Sequence, residues 1–262
     1  MIDIEDGSEF DEALVISCFP SEGFVSSIVA HFLVDKLGLE LVGGIRHSGL
    51  PPVCLVQEGS PLPPIRLYSG VPVCNVDKCD KVVLIASEIQ ISPDLKLPIA
   101  SEILDWMSES GAGMSIMIDS YAHGEGQKHS IFDEDKSPDT VVGIGSNEKS
   151  REMLKEIGAT LLKQGVVGGM TGVMLGESRR RKMDSLAVIA ESGGEFSGGG
   201  IPDARAAARI IECLDGLLPA VKLDPEPLLE EAQRIEGQIR EMMALHVNSE
   251  SDVVSAPSTM YG

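Results

Sequence analysis

The sequence predicts an α/β protein, specifically a three-layer sandwich built on a mixed, largely parallel sheet. Short apolar runs, such as residues 13–19 (ALVISCF) and 81–86 (KVVLIA), have the length and composition of buried strands. Segments with helical spacing of apolar residues alternate with these runs. Such alternation is typical of parallel strands joined by helices that cover both faces of the sheet.

The first half of the chain opens with strand 13–19, which ends at Pro20. The following segment has helical periodicity and closes at Gly38. Its predicted inward face consists of Val25, Ile28, Val29, Phe32 and Leu33. Three further short runs predict strands 39–45 and 53–57 and a hairpin of 65–68 with 71–74, turned at Ser69-Gly70. Because these strands follow one another without helices, some antiparallel pairing is expected here.

Predicted strands and helices continue to alternate up to the end of the predicted α/β domain. Residues 81–86 are the expected central strand, and Pro98 is placed near the start of a helix that runs to about Ser110. Ser146 or Asn147 is the expected N-cap of a helix that stops at Gly158. The remaining predictions are strands 114–118, 140–144 and 186–190 and helices 168–182 and 203–217.

Charge and composition exclude several classes of function. The chain has 262 residues, 41 acidic against 21 basic side chains, and a net charge of −20. Phosphate repels such a surface, so nucleic acid is an improbable partner. No apolar run reaches the roughly 18 residues of a membrane span, and the acidic N-terminus does not resemble a signal peptide. We therefore expect a soluble, cytoplasmic protein whose five cysteines are free thiols.

Residues 223–246 differ from the domain before them. Asp224 and Pro225 are typical of a helix start, and the apolar residues that follow are spaced by four and three in turn. This narrow apolar seam consists of Leu228, Ala232, Ile235, Ile239 and Met242. The seam either packs on its own domain or forms a contact between copies of the chain. The predicted division is an α/β domain at 1–222, an amphipathic helix at 223–246 and a tail at 247–262.

The tail is predicted to be disordered up to its last three residues. Residues 247–259 are polar, rich in serine and without periodicity. Met260, Tyr261 and Gly262 then combine an apolar side chain, a phenol and a free carboxylate, which suit docking into a pocket. The alternative is an ordinary frayed terminus.

No catalytic constellation can be assembled from the sequence. Glycines at 143–145 and 168–172 precede predicted helices and could cradle an anion, but neither has the full dinucleotide-binding spacing. The Gly-rich loop 193–200 and the His- and acid-bearing loop 121–138 are open as ligand sites, and no metal or cofactor is predicted. Glu88 follows the central strand without an obvious partner. A nucleotide-binding ligase- or hydrolase-like enzyme that uses the Gly-rich sheet edge remains the alternative.

Several segments, taken in order, resemble the proteasome assembly chaperone family in its archaeal form. They begin with CFPSEGFVSSIVAHFLVDKLGL, LPPVCLVQEGSPLPPIRLYSG and VVLIASEIQI. They continue with GIGSNEKSREMLKEIG, GVVGGMTGVMLGESRRRKM, IPDARAAARIIECLDGLL and DPEPLLEEAQRIEGQIREMM. Residues 119–138 depart from the family pattern, and loop 193–200 is longer than expected.

The resemblance implies a fold with nucleoside-phosphorylase-like topology that lacks the catalytic residues of those enzymes. It further implies a homo-oligomer that assists formation of the 20S proteasome α-ring without ATP. Some archaeal members end in a hydrophobic–Tyr–any-residue (HbYX) motif that docks between α-subunits. In this sequence the motif corresponds to Met260, Tyr261 and Gly262.

Overall fold

The computed structural model describes residues 2–4, 10–57, 59–71, 81–122, 140–192, 202–218 and 223–230. Within these residues the strands are β1 (Ile2–Ile4), β2 (Leu14–Cys18), β3 (Glu40–Ile45), β4 (Leu55–Gln57), β5 (Ser60–Leu62), β6 (Arg66–Gly70), β7 (Val82–Ala86), β8 (Met114–Ala122), β9 (Val142–Gly145), β10 (Thr160–Leu161) and β11 (Ser185–Ser192). The α-helices are α1 (Val25–Leu37), α2 (Pro93–Ser110), α3 (Glu148–Glu156), α4 (Gly169–Arg181) and α5 (Ala204–Asp215).

Nine strands form one mixed sheet with the order β1-β3-β6-β7-β2-β8-β11-β9-β10. The four central strands β7, β2, β8 and β11 are parallel to one another. Antiparallel neighbours flank them: β6, β3 and β1 on one side, and β9 on the other. The antiparallel pairing expected in the strand-rich first half is therefore confirmed.

Helices cover both faces of the sheet because successive side chains of the central strands point to opposite sides. Leu14, Ile16 and Cys18 of β2 join the core beneath α1, α3 and α5, whereas Val15 joins the core beneath α2 and α4. These strands are buried on both faces and so consist of continuous apolar runs. The three-layer α/β sandwich predicted from the sequence is confirmed.

Helix ends follow the predicted signals. Gly38 adopts a left-handed conformation with φ of 59° at the end of α1. Asn147 caps α3 by accepting a hydrogen bond from Ser150 N at 2.9 Å, and Asp203 caps α5 by accepting one from Ala206 N at 2.9 Å.

Two local predictions were wrong. Ser69 and Gly70 do not form a hairpin turn but continue β6, because this strand is held between β3 and β7; residues 72–74 lie outside the described part of the chain. Helix α2 begins at Pro93, so Pro98 is inside the helix. The three short strands β1, β5 and β10 were not predicted.

The end of the described chain contacts the sandwich. Leu223 is buried, and its N–H donates to Asp215 Oδ1 at 2.8 Å. Residues 226–230 are helical, and Leu228 of the predicted seam packs against the α1/α5 side of the core. Ala232, Ile235, Ile239 and Met242 lie outside the described residues, as does the tail. No helix in the described residues is both long enough and apolar enough to cross a membrane.

Candidate functional site

The carboxyl ends of the central parallel strands meet at one end of the sheet. In open α/β sheets this is where ligands bind, so we take this end as the candidate site. Three groups of polar side chains lie there: one around Glu88, one around Asp119, and a Tyr121–Glu191 pair.

Glu88 follows β7 and is contacted by two side chains from other elements. Arg66 Nη2 donates to Glu88 Oε1 at 2.5 Å, and His31 Nε2 lies 3.3 Å from the same oxygen. The Arg66 side chain is only 4% exposed, because its position opposite Ala86 places it beneath α1. Burial of this guanidinium is tolerable only with an anionic partner, which Glu88 supplies.

The electrostatics hold Glu88 as a carboxylate. Burial opposes its charge, but hydrogen bonds from His31 and Arg66 outweigh that effect and lower its pKa from 4.5 to about 2. Arg66 Nε and Glu88 Oε2 are nevertheless buried without a hydrogen-bond partner. Glu88 is therefore committed to charge pairing with Arg66 and is poorly suited to transfer a proton near neutral pH.

Cys18 is the thiol nearest to this group, and it is inert. It is buried at the end of β2, and burial together with the negative charge of Glu88 raises its thiol pKa well above the usual range. Because the thiolate is the reactive form, Cys18 is not an activated nucleophile.

Asp119 occupies the end of β8 on the opposite face. Burial raises its pKa, hydrogen bonds from Thr171 and Ser120 N oppose the rise, and the charge of Glu22 adds to it. Next to it, Ser120 Oγ donates to Glu22 O at 2.6 Å and fixes the loop after β2. Through Thr171, Asp119 connects the start of α4 to β8. Through Glu22 O, Ser120 connects the loop after β2 to the same strand.

The Tyr121–Glu191 pair joins β8 to β11. Tyr121 OH donates to Glu191 Oε2 at 3.1 Å. Burial, followed by the charge and hydrogen bond of Glu191, raises the pKa of the phenol. A phenol held protonated in this way acts as a structural hydrogen-bond donor.

The glycines at 143–145, which could have cradled a phosphate, serve packing instead, whereas a Cβ at Gly168 or Gly169 would meet nothing within 4 Å. A Cβ at Gly143 would lie 2.6 Å from Leu154 Cδ2, and one at Gly145 would lie 2.8 Å from Arg151 N, so both allow α3 to approach β9. Among the described residues, no group of three His, Cys, Asp or Glu side chains could hold a metal ion.

The predicted docking motif at Met260, Tyr261 and Gly262 lies outside the described residues, as do loop 193–200 and residues 123–138. Conversely, the sequence did not reveal His31 and Arg66 as partners of Glu88. Arg66 could have been recognised from the sequence, because it is the one charged residue of β6 and lies two residues before Tyr68, on the same face of the strand. A buried cation at that position requires an anion nearby.

The fold and this end of the sheet define a three-layer α/β protein in which ion pairs and buried hydrogen bonds occupy the carboxyl ends of the central strands. The chain belongs to the PAC2 family, whose pattern matches residues 15–243. The resemblance to proteasome assembly chaperones predicted from the sequence is thereby confirmed.

Individual relatives agree with this assignment. A crystal structure of Pyrococcus furiosus PbaA, described as an archaeal homolog of proteasome-assembly chaperone, has a TM-score of 0.76 at 29% identity, covering 96% of this chain and 95% of that one. The P. furiosus proteasome activator PbaB shares the fold, with a TM-score of 0.72 at 18% identity over 93% and 98% of the two chains. An uncharacterized protein of Methanocaldococcus jannaschii is 28% identical over 91% of this chain and 89% of its own length.

Proposed function

We propose that this protein is an ATP-independent proteasome assembly chaperone that binds subunits of the 20S α-ring. The observation that carries the proposal is its similarity to PbaA, which in a second crystal structure extends over 95% of this chain and 100% of that chain at 30% identity. Such a protein would act in the cytoplasm as a homo-oligomer.

The proposed contact with the α-ring is the C-terminal motif Met260-Tyr261-Gly262. The Met side chain would fill an apolar notch, the Tyr phenol would hydrogen-bond to a backbone edge, and the terminal carboxylate would pair with a lysine. A single short tail binds weakly because ordering its tether costs entropy. Several tails on one oligomer would raise the avidity by about 10²–10⁴.

A non-catalytic role is supported by the chemistry at the carboxyl end of the sheet. The Glu88 carboxylate is neutralised by Arg66, and the neighbouring Cys18 thiol is held protonated. Catalysis at this position would require a nucleophile and a base in mutual contact. A surface of fixed ion pairs instead suits a rigid scaffold for protein contacts.

The test of the docking proposal compares the full chain with a variant lacking residues 260–262 and with Tyr261→Ala. Purified α-subunits of the same organism are mixed with each protein, and the complex is quantified by co-purification and gel filtration. Both variants should lose binding, whereas the nearby substitution Thr259→Ala should retain it. Undiminished binding by the truncated chain would overturn the docking proposal and leave the fold assignment intact.

A further inference from the structure

The only run of consecutive basic residues in this acidic chain lies at the amino end of β11. Residues 179–182 (RRRK) end α4 and shortly precede Ser185, the first residue of β11. The segment 177–184 contains four basic and two acidic residues, in a chain whose net charge is −20. This locally basic segment lies at the opposite end of β11 from the candidate functional site.

Hydrogen bonds join the end of α4 to the start of α3 and bring a further basic side chain to the same place. Arg179 Nη1 donates to Ser146 O at 2.7 Å, just before α3 begins. Asp184 accepts a hydrogen bond from Asn147 Nδ2 at 2.5 Å and another from Lys149 Nζ at 3.0 Å. We use the term basic surface for Lys149, Arg179 and Lys182.

Much of the charge on the basic surface is available to a partner. Arg179 and Lys182 are exposed, and neither forms an ion pair within the described part of the chain. Lys149 is paired with Asp184, but its side chain is 59% exposed. The basic surface therefore presents one guanidinium and two ammonium groups to solvent.

Two of these three cations occupy positions that the local structure disfavours. Lys149 is in the first turn of α3, where the helix dipole is unfavourable for a positive charge. Lys182 has a φ of +61°, a left-handed conformation in which glycine is the usual residue at the end of a helix. Residues that oppose the local preference are expected at functional sites rather than in the scaffold.

We propose that the basic surface binds an acidic segment of a partner protein, that is, a short run of Asp or Glu side chains. Guanidinium and ammonium groups pair with carboxylates through charge-assisted hydrogen bonds. The Debye length is about 8 Å at physiological salt, so nearby charges rather than the distant acidic residues decide the sign of a short contact. Because the chain as a whole is acidic, such a partner is attracted here and repelled elsewhere, which fixes its orientation.

A short acidic segment suits the basic surface better than nucleic acid does. Duplex DNA carries one charge about every 1.7 Å along its axis, so it would bring many phosphates against the acidic surroundings of this surface. A peptide with a few carboxylates brings only as many charges as the three cations can neutralise.

The experiment measures binding of a fluorescein-labelled octaglutamate peptide to the full chain by fluorescence anisotropy at low salt. Lys182→Glu should raise the dissociation constant about tenfold, because it replaces an attraction with a repulsion. The matched control is Lys36→Glu, which changes the net charge by the same amount at an exposed position near Asp35 and Glu40 and should leave the dissociation constant nearly unchanged. The difference between the two variants should shrink as salt rises.

Two results of this experiment would overturn the proposal. One is equal binding of the peptide by the wild-type chain and the Lys182→Glu variant. The other is an anisotropy that stays constant when the wild-type chain is added to the peptide.

A second variant separates binding from folding. Lys182→Gly removes the cation and also relieves the left-handed backbone, so the variant should unfold at the same or a higher temperature. Its dissociation constant for the peptide should nevertheless rise, by less than in Lys182→Glu, because a charge is lost rather than reversed. Peptide binding equal to that of the wild-type chain would contradict the role of Lys182 and overturn the proposal.

Two further measurements distinguish the acidic partner from other occupants. A labelled single-stranded DNA octanucleotide should bind more weakly than the peptide, and tighter binding of the DNA would overturn the proposal. A chain that ends at residue 246 lacks Glu250, Asp252 and the terminal carboxylate, and it should bind the peptide as the full chain does. Stronger binding by the shortened chain would show that the tail itself occupies the basic surface, and the proposal of a partner would be wrong. Because the shortened chain also lacks residues 260–262, unchanged peptide binding would separate this surface from the proposed docking motif.

Discussion

At the scale of single residues, Glu88 has the clearest energetic role, because it neutralises the buried Arg66. Glu88→Gln keeps the shape of the side chain but removes the anion, and it should lower the free energy of unfolding by about 2 kcal/mol. Urea unfolding measures this change. Glu148→Gln is the matched control, since Glu148 forms an exposed pair with Arg151 and its loss should have no measurable effect. Equal stability of the Glu88→Gln variant and the wild type would contradict the role assigned to this pair.

The same carboxylate predicts a pH dependence. The pKa of Glu88 falls from 4.5 to about 2 on folding. Its contribution to the free energy of unfolding is therefore fully present above about pH 4.5 and is lost as the pH falls toward about 2. The shift corresponds to about 3 kcal/mol, which solvent screening of a side chain 27% exposed reduces to about 2 kcal/mol. The difference in unfolding free energy between wild type and Glu88→Gln should therefore be constant from about pH 7 to pH 5 and shrink below about pH 4.5. A difference that grows on acidification would contradict the assignment.

The Glu88 group also shows what the sequence alone does not contain. Glu88 stands out in the sequence because it directly follows a strongly apolar strand. Its partners come from α1 and β6, and only the antiparallel register that places Arg66 opposite Ala86 brings them together. Register between strands distant in sequence is a tertiary property, so no local pattern contains it.

At the scale of elements, apolar runs and caps predicted most of the secondary structure. Strands β2 and β7 were recognisable because both of their faces are buried, and α3 because Asn147 caps it. The failures occurred where tertiary contacts override local preference. Gly70 reads as a turn residue, yet it lies within β6, where a Cβ would come 2.7 Å from Leu39 Cδ2. A glycine that permits close approach cannot be distinguished from a turn glycine by sequence alone.

Helix α2 gives a prediction about its internal proline. Pro98 is exposed inside the helix, where it cannot donate the usual backbone hydrogen bond, whereas Pro93 occupies the first turn, where no such bond is lost. Pro98→Ala should restore this hydrogen bond but also give the unfolded chain more conformational freedom, which partly offsets the gain. The net effect should be a rise of about 1 kcal/mol in the free energy of unfolding. Pro93→Ala is the matched control and should give no gain. Urea denaturation of both variants measures the difference, and a destabilised Pro98→Ala variant would show that the proline has a favourable role.

At the scale of the whole molecule, the α/β sandwich and the short motif at residues 260–262 have different proposed roles. The sandwich buries a core on each face of one sheet, and its carboxyl end carries the Arg66–Glu88 ion pair. The proposed tail adds affinity for a partner only if several copies present it together. Oligomer formation and docking by the tail are therefore expected to be coupled through effective concentration.

This coupling gives the last prediction. A peptide of residues 247–262 presents Met260-Tyr261-Gly262 as a single tail, so its affinity for assembled α-rings should be about 10²-fold lower than that of the oligomeric full chain. Surface plasmon resonance at low ring density measures both affinities. Fusing the peptide to a parallel dimeric coiled coil should recover much of the loss, since it places two tails on one molecule. If the fused peptide binds no better than the single peptide, avidity does not explain the affinity of the full chain for the α-ring.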